Sequence, residues 1–336
     1  MKLASLNDGS RDGRLIVVSK NLKYYTVVGK IAPTMQFAVD NWNKVSTKLR
    51  EIYEALNANA IKKENFDEKL VYSPLPRAFQ WLDASAYVNH VLLVRKARNA
   101  KMPKSFWTDP LMYQGGSDDF TPPRSPITLS DENWGVDFEA EMAIIINDVE
   151  MGSSPKIVED KILLVMLVND VSLRNLVPNE IGKGFGFIHS KPSTTFSPVA
   201  VTLDEIKPFW RNGKLHRSVI VNLNDKSIGK ADTGKEMTFN FNELISHASK
   251  SRNLRAGTII GSGTVSNRSD DGGPGKTIKN GGKGYSCIAE LRMVEKIQTG
   301  SEKTPFMKFG DKVSISVFDD NNNSIFGTIE QTFKKK

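Results

Sequence analysis

The stretch Asp137-Phe-Glu-Ala-Glu-Met-Ala-Ile-Ile-Ile146 holds both a structural and a chemical message. In a strand, side chains alternate between faces, so Glu139 and Glu141 point the same way. Both run straight into an apolar strand. Two readings follow. Either the two carboxylates lie near the core and need a positive partner, for which a divalent cation with oxygen ligands is the natural choice. Or they form a solvated sheet edge with both side chains in water.

Outward from this strand the texture stays mostly β. Strand candidates fall at 138–146, 161–168, 197–202, 217–223, 257–260, 286–293 and 312–318, separated by turn signals such as Asn212-Gly213 and Gly281-Gly282. Residues 241–249 form one helix candidate. The pattern predicts a mainly β (α+β) chain rather than a doubly wound βαβ domain. The glycine-rich stretch 261–284 reads as a long loop. It lacks Gly-Lys-Ser/Thr at P-loop spacing.

The first 72 residues read differently. Strands are expected at 14–19 and 24–28. One helix is expected over 36–59, where Phe37, Val39, Trp42, Val45, Leu49, Ile52, Tyr53 and Leu56 recur at helical steps. Residues 60–72 are polar and read as a linker. The division is a small N-terminal accessory domain, 1–72, and a larger catalytic domain, 73–336.

Composition narrows the function. Hydrophobic residues at 39% and charged residues at 25% exclude a disordered chain. The net charge is +8, from 46 basic and 38 acidic residues, but the signs are interspersed and no nucleic-acid motif accompanies them. A small anionic substrate in a basic cleft accounts for the charge better. The single cysteine, Cys287, rules out an internal disulfide framework. No apolar run reaches membrane-spanning length and no secretory signal is visible, so a cytoplasmic location is expected, with no membrane or nucleic-acid partner.

Further candidates flank the paired glutamates. Asp170 comes just after the apolar run Ile162–Val168, where it either presents a ligand at a sheet edge or takes part in helix N-capping or a turn. Arg174 comes next. Lys191 then stands before the hydroxyl cluster Ser193-Thr-Thr195 and can contact an oxyanion.

Together these pieces resemble the fumarylacetoacetate hydrolase family, over about residues 75–330. The resemblance rests on motifs in order: Asp137-Phe-Glu-Ala-Glu-Met, Asn169-Asp-Val-Ser-Leu-Arg174, Lys191-Pro-Ser-Thr-Thr-Phe-Ser-Pro198, Ser262-Gly-Thr264, and Ile288-Ala-Glu290-Leu on a late strand. Upstream, Asp83-Ala-Ser-Ala-Tyr-Val-Asn-His90 looks like the family's segment with a metal-binding Asp seven residues before a catalytic His. The resemblance implies a mixed β-roll or sandwich, a homodimer, and one divalent cation, Mg²⁺ or Ca²⁺, held by Asp83, Glu139, Glu141 and Asp170. It implies His90 as base with Glu290 as its partner, and Lys191 with Arg174 as positive charge for an oxyanion. Arg98, Tyr113, Lys191 and Thr264 would contact substrate, although core packing for Tyr113 and a solvated basic face for Arg98 serve equally well.

The implied reaction is hydrolysis of a carbon–carbon bond in a 1,3-diketone acid, foremost fumarylacetoacetate to fumarate and acetoacetate in tyrosine breakdown. A hydratase or hydrolase of a related dicarbonyl acid from aromatic degradation is the alternative, and a non-catalytic binder of a small acid a third. Departures bear on the substrate. Val171 stands where the family favours Trp, Ser190-Lys-Pro replaces Gly-Lys-Ser, and no Gln lies between Arg174 and Lys191. Leu93 stands where a His-x-x-Glu branch of the family would place its acid, which favours Glu290 as the partner of His90.

Overall fold

The computed structural model describes residues 1–97 and 99–336; Arg98, a candidate substrate contact, lies outside the described residues. The strands Ala140–Ile146 and Ile162–Asn169 form the centre of an 11-stranded sheet. They pair antiparallel from Ile162 opposite Ile146 to Asn169 opposite Ala140. Every residue of both strands is buried. A strand covered on both faces has no need of polar alternation, and this explains the unbroken apolar run at 162–168.

The two faces of these strands feed two different cores. Met142, Ile144, Ile146, Val165 and Leu167 face one core, and Ala143, Ile145, Leu164, Met166 and Val168 face the other. The first is closed by a five-stranded sheet that supplies Val219, Val221, Val313, Ile315 and Phe333. The second is closed by the helix Trp42–Asn57, which buries Val45, Leu49, Tyr53 and Leu56 at three- and four-residue steps. Leu49 is fully buried, and truncating such a side chain to Ala costs about 2–5 kcal/mol.

The N-terminal strands belong to the same large sheet. Lys2–Leu6 pairs with Ala200–Val201, Arg14–Val18 follows, then Tyr24–Val27. Residues 60–72, expected as a linker, add a further pairing instead: Glu64 and Asn65 lie opposite Tyr25 and Tyr24, and Val71 bridges to Leu6. The helix expected over 36–59 is two helices, Met35–Asp40 and Trp42–Asn57. Asn41 leaves helical geometry between them, and its side chain donates to the Phe37 carbonyl, ending the first helix locally. Among the described residues, no helix is long and apolar enough to cross a membrane.

One expected strand is a helix. A strand is expected over 286–293, but Ile288–Thr299 is helical. Its apolar positions Leu291, Val294 and Ile297 pack on Leu93 of a second helix, Val88–Lys96. A strand would have sent every second residue away from that contact. This correction moves Glu290 from a sheet to the first turn of a helix.

Candidate active site

Four carboxylates converge from separate strands. Asp83 lies on Trp81–Ala84, which runs parallel to Ile259–Gly261 with Asp83 opposite Gly261. Gly261 is required there by space: a Cβ would sit 2.4 Å from Asp83 Oδ1 and 2.4 Å from the Trp81 ring. Ile259–Gly261 in turn flanks Ala140–Ile146, so Asp83 and Glu141 meet across a strand whose last residue has no side chain. Asp170 follows Ile162–Asn169, and its amide donates to the Glu139 carbonyl. One oxygen from each of Asp83, Glu139, Glu141 and Asp170 lies within 4.8 Å of the others.

All four are buried. The solvated-edge reading of Glu139 and Glu141 therefore falls. Both oxygens of Glu141 lack a hydrogen-bond partner. Burial, and then the negative charge of Asp170, pushes Asp83 well above the usual carboxylate range; burial and the Asp83 charge do the same to Glu141. Glu139 goes the other way. Burial opposes its ionisation, but Lys191 and Arg174 outweigh it and hold the carboxyl well below its ordinary value.

This donor set fits one divalent cation. Oxygens on opposite sides of an ion are separated by about twice the bond length, roughly 4.2 Å for Mg²⁺ and 4.6–5.2 Å for Ca²⁺, so the spacing suits either. The unpartnered Glu141 carboxylate is the strongest indication, because a buried acceptor left without a donor or cation is costly. Asp83, Glu139, Glu141 and Asp170 are the residues that would hold the ion.

Neighbours fix these acids. The Lys191 ammonium donates to Glu139 at 2.7 Å, to Ser172 Oγ at 2.8 Å, and to Asp170. Its ammonium form is favoured: burial works against the charge, but Asp170 and Glu139 raise its pKa. Asp170 also accepts from Thr194 Oγ1 at 2.8 Å and from the Tyr113 hydroxyl at 2.6 Å. Tyr113 thus touches an acid of the cluster, and Phe187 packs edge-on to its ring at 5.1 Å. The Arg174 guanidinium donates through Nε to Asp137 at 2.9 Å and through a terminal nitrogen to Glu139 at 2.8 Å.

His90 and Glu290 face each other from two packed helices. His90 Nδ1 lies 3.0 Å from Glu290 Oε2. The other oxygen of Glu290 accepts from Ser266 Oγ at 2.9 Å, and Ser266 Oγ accepts from Asn89 at 2.7 Å. Both Glu290 oxygens are thereby fixed, while the His90 side chain keeps 16% exposure. His90 is close enough to the cluster that its positive form would lower the Glu139 pKa. Thr264 is buried on the segment between the two groups. In that segment Gly263 N donates to Asp83 at 3.2 Å, and Ser266 holds Glu290.

The structure therefore brings together Asp83, Glu139, Glu141, Asp170, Lys191, Arg174, Tyr113, Thr264, His90 and Glu290. Sequence reasoning missed Thr194, Ser266 and Asn89. Thr194 had a signal, since it sits in the hydroxyl cluster after Lys191. Ser266 and Asn89 had none, because their roles depend on contacts 24 and 177 residues away in sequence.

The family model described as fumarylacetoacetate (FAA) hydrolase C-terminal matches residues 80–334, and that for fumarylacetoacetase N-terminal domain 2 matches residues 1–77. The chain belongs to the fumarylacetoacetate hydrolase family. Fumarylacetoacetase from Caenorhabditis elegans is 27% identical over 266 residues, 67% of this chain and 61% of that protein. The chain thus spans less than two thirds of that relative's length. Fumarylacetoacetate hydrolase from Exiguobacterium antarcticum superposes with a TM-score of 0.63 at 15% identity, covering 100% of both chains. Maleylpyruvate hydrolase from Sphingobium sp. SYK-6, solved with manganese(II) and pyruvate, gives 0.63 at 16%, covering 100% of this chain and 99% of that one. At these identities the two structures establish the shared fold.

Proposed function

We propose that the protein is a divalent-cation-dependent hydrolase that cleaves a carbon–carbon bond in a 1,3-diketone acid, with fumarylacetoacetate the foremost candidate. The observation that carries this reading is the His90–Glu290 pair beside a buried cluster of four carboxylates. The resident ion, when bound, would polarise a dicarbonyl oxygen. The remaining work falls to side chains. Glu290 accepts the Nδ1 proton of His90 and leaves Nε2 free as a base. Nε2 takes a proton from water as the water oxygen bonds to the carbonyl carbon. Lys191 Nζ, its three donors held by Glu139, Asp170 and Ser172, supplies positive charge near the developing oxyanion. When the carbon–carbon bond breaks, its electron pair passes to the enolate, and the proton held on His90 returns to that carbon. Arg174 is engaged on both sides by carboxylates, so we assign it to holding Glu139 rather than to contacting substrate.

A related dicarbonyl acid from aromatic degradation is the second reading. It is favoured by the segment between Arg174 and Lys191, which carries Ile181, Phe185 and Ile188 exposed and no Gln. A panel of diketone and acylpyruvate acids with Mg²⁺ or Mn²⁺, followed by loss of diketone absorbance, separates the two. In the same assay His90→Ala should lower kcat by about 10²–10⁴ with cation affinity unchanged. A near-normal kcat with a raised KM would remove His90 as the base.

A further inference from the structure

Asp137 is fully buried, yet it is neither one of the four converging carboxylates nor a group that faces substrate. Its Oδ1 accepts from the amide of Ile288 at 2.8 Å and its Oδ2 from the amide of Ala289 at 2.9 Å. Oδ2 also accepts from Arg174 Nε, and the same guanidinium grips Glu139. Ile288 and Ala289 are the first two residues of the helix Ile288–Thr299, and Glu290 is the third. The first amides of a helix have no partner within it and must find one outside. An N-cap Ser, Thr, Asp or Asn ordinarily supplies an acceptor from the adjacent chain. Here the N-cap is Cys287, whose sulfur takes only the Glu290 amide, at 3.4 Å, and sulfur is a weak acceptor. The start of this helix is therefore held by a carboxylate 151 residues away, and that carboxylate is bonded to the arginine that holds Glu139.

We propose that Asp137 is a positioning residue. It fixes the first turn of the Glu290 helix against the acid cluster, so that Glu290 meets His90 Nδ1 at the distance general-base action requires. The role rests on the His90–Glu290 pairing proposed above. A 3 Å contact between two helices is sensitive to shifts of a few tenths of an ångström, and a rigid bidentate carboxylate restricts both translation and rotation of the helix end. Asp137→Asn keeps the shape but turns an amide donor toward one of the two helix N–H groups, so one contact becomes repulsive.

The readout is the tautomer of His90 in the metal-free protein, labelled with ¹⁵N-histidine and assigned with His90→Ala. The spectra are recorded at about pH 8.5, two units above the ordinary His pKa of about 6.5. The wild-type ring should carry its proton on Nδ1, facing Glu290. Glu290→Ala should move it to Nε2, and Asp137→Asn should do the same while the protein stays folded by circular dichroism. kcat of Asp137→Asn should fall at least about tenfold with KM little changed, and adding Asp137→Asn to Glu290→Ala should lower kcat by less than about threefold, as residues acting through one group are not additive. If Asp137→Asn leaves Arg174 Nε without its carboxylate and fails to fold, Asp137→Asn with Arg174→Met removes both charges and gives the same tautomer test. A tautomer that moves in Glu290→Ala but not in folded Asp137→Asn, or losses that multiply in the double variant, overturns the positioning role alone. A tautomer unmoved by Glu290→Ala overturns the His90–Glu290 pairing and this role with it.

Discussion

Replacing Glu141 by Gln removes one charge from the acid cluster and leaves its shape. In the fold, burial and the Asp83 charge raise the Glu141 pKa well above its ordinary value, so without a cation the ionised form opposes folding. A raised acid contributes stability below its unfolded pKa and loses it as pH rises through the folded pKa. The Glu141 contribution to the stability of the metal-free protein should therefore fall from acid toward neutral pH, so that Glu141→Gln gains on wild type over that range. A bound cation has the opposite effect. At a hundredfold excess over Kd it stabilises by about 2.7 kcal/mol. An unfolding entropy of about 2.1 cal/mol/K per residue gives about 0.7 kcal/mol/K for 336 residues, so the wild-type midpoint should rise by about 4 °C. Losing a ligand should weaken binding by at least the 10–100-fold that second-shell changes cause, which leaves at most about half of that rise at the same cation concentration, and about a seventh at the 100-fold end. Thermal melts at pH 8 with chelator and with Mg²⁺ or Mn²⁺ measure both effects. A variant that melts lower than wild type without metal and keeps the full cation-dependent rise would refute the placement of Glu141 in the ion's coordination.

Two further outcomes are expected. Lys191→Met removes the positive charge beside the oxyanion and should lower kcat by about 10²–10³, while cation binding measured by calorimetry tightens, because a positive neighbour of Glu139 and Asp170 is gone. Light scattering should give twice the 37.4 kDa chain mass, as the proposed homodimer requires, and a single chain mass would remove the dimer.

The acid cluster was legible because its signals are local. Two glutamates in strand register before an apolar run, and an aspartate closing another, need no distant information to be noticed. That they are buried was not legible, since the same spacing suits a wet edge; the five-stranded sheet over one face of Ala140–Ile146 and the helix Trp42–Asn57 over the other decide it. Glu290 was found by resemblance and set on the wrong element. Leu291, Val294 and Ile297 recur every three residues, a helical signal, but Ile288-Ala-Glu-Leu at the start imitates strand alternation and Cys287 gives no recognisable cap. Asp137 was read only as the first acid of a motif. Its bonds to Ile288 and Ala289 span about half the chain, and no spacing rule reaches that far. The break at Asn41 was hidden for a different reason: the apolar period continues across it, so the two helices share one buried face.

Hydrolysis across a carbon–carbon bond is tested most directly by isotope incorporation. The holoenzyme, loaded with Mg²⁺ or Mn²⁺, is given the panel member it consumes fastest, once in H₂¹⁸O and once in D₂O, and the products are analysed by mass spectrometry. Two fragments are expected, with one ¹⁸O in the newly formed carboxylate in the first run and one deuterium on the carbon that leaves as enolate in the second. Conversion of substrate to an isomer, with deuterium exchange but no cleavage, would contradict the hydrolase reading.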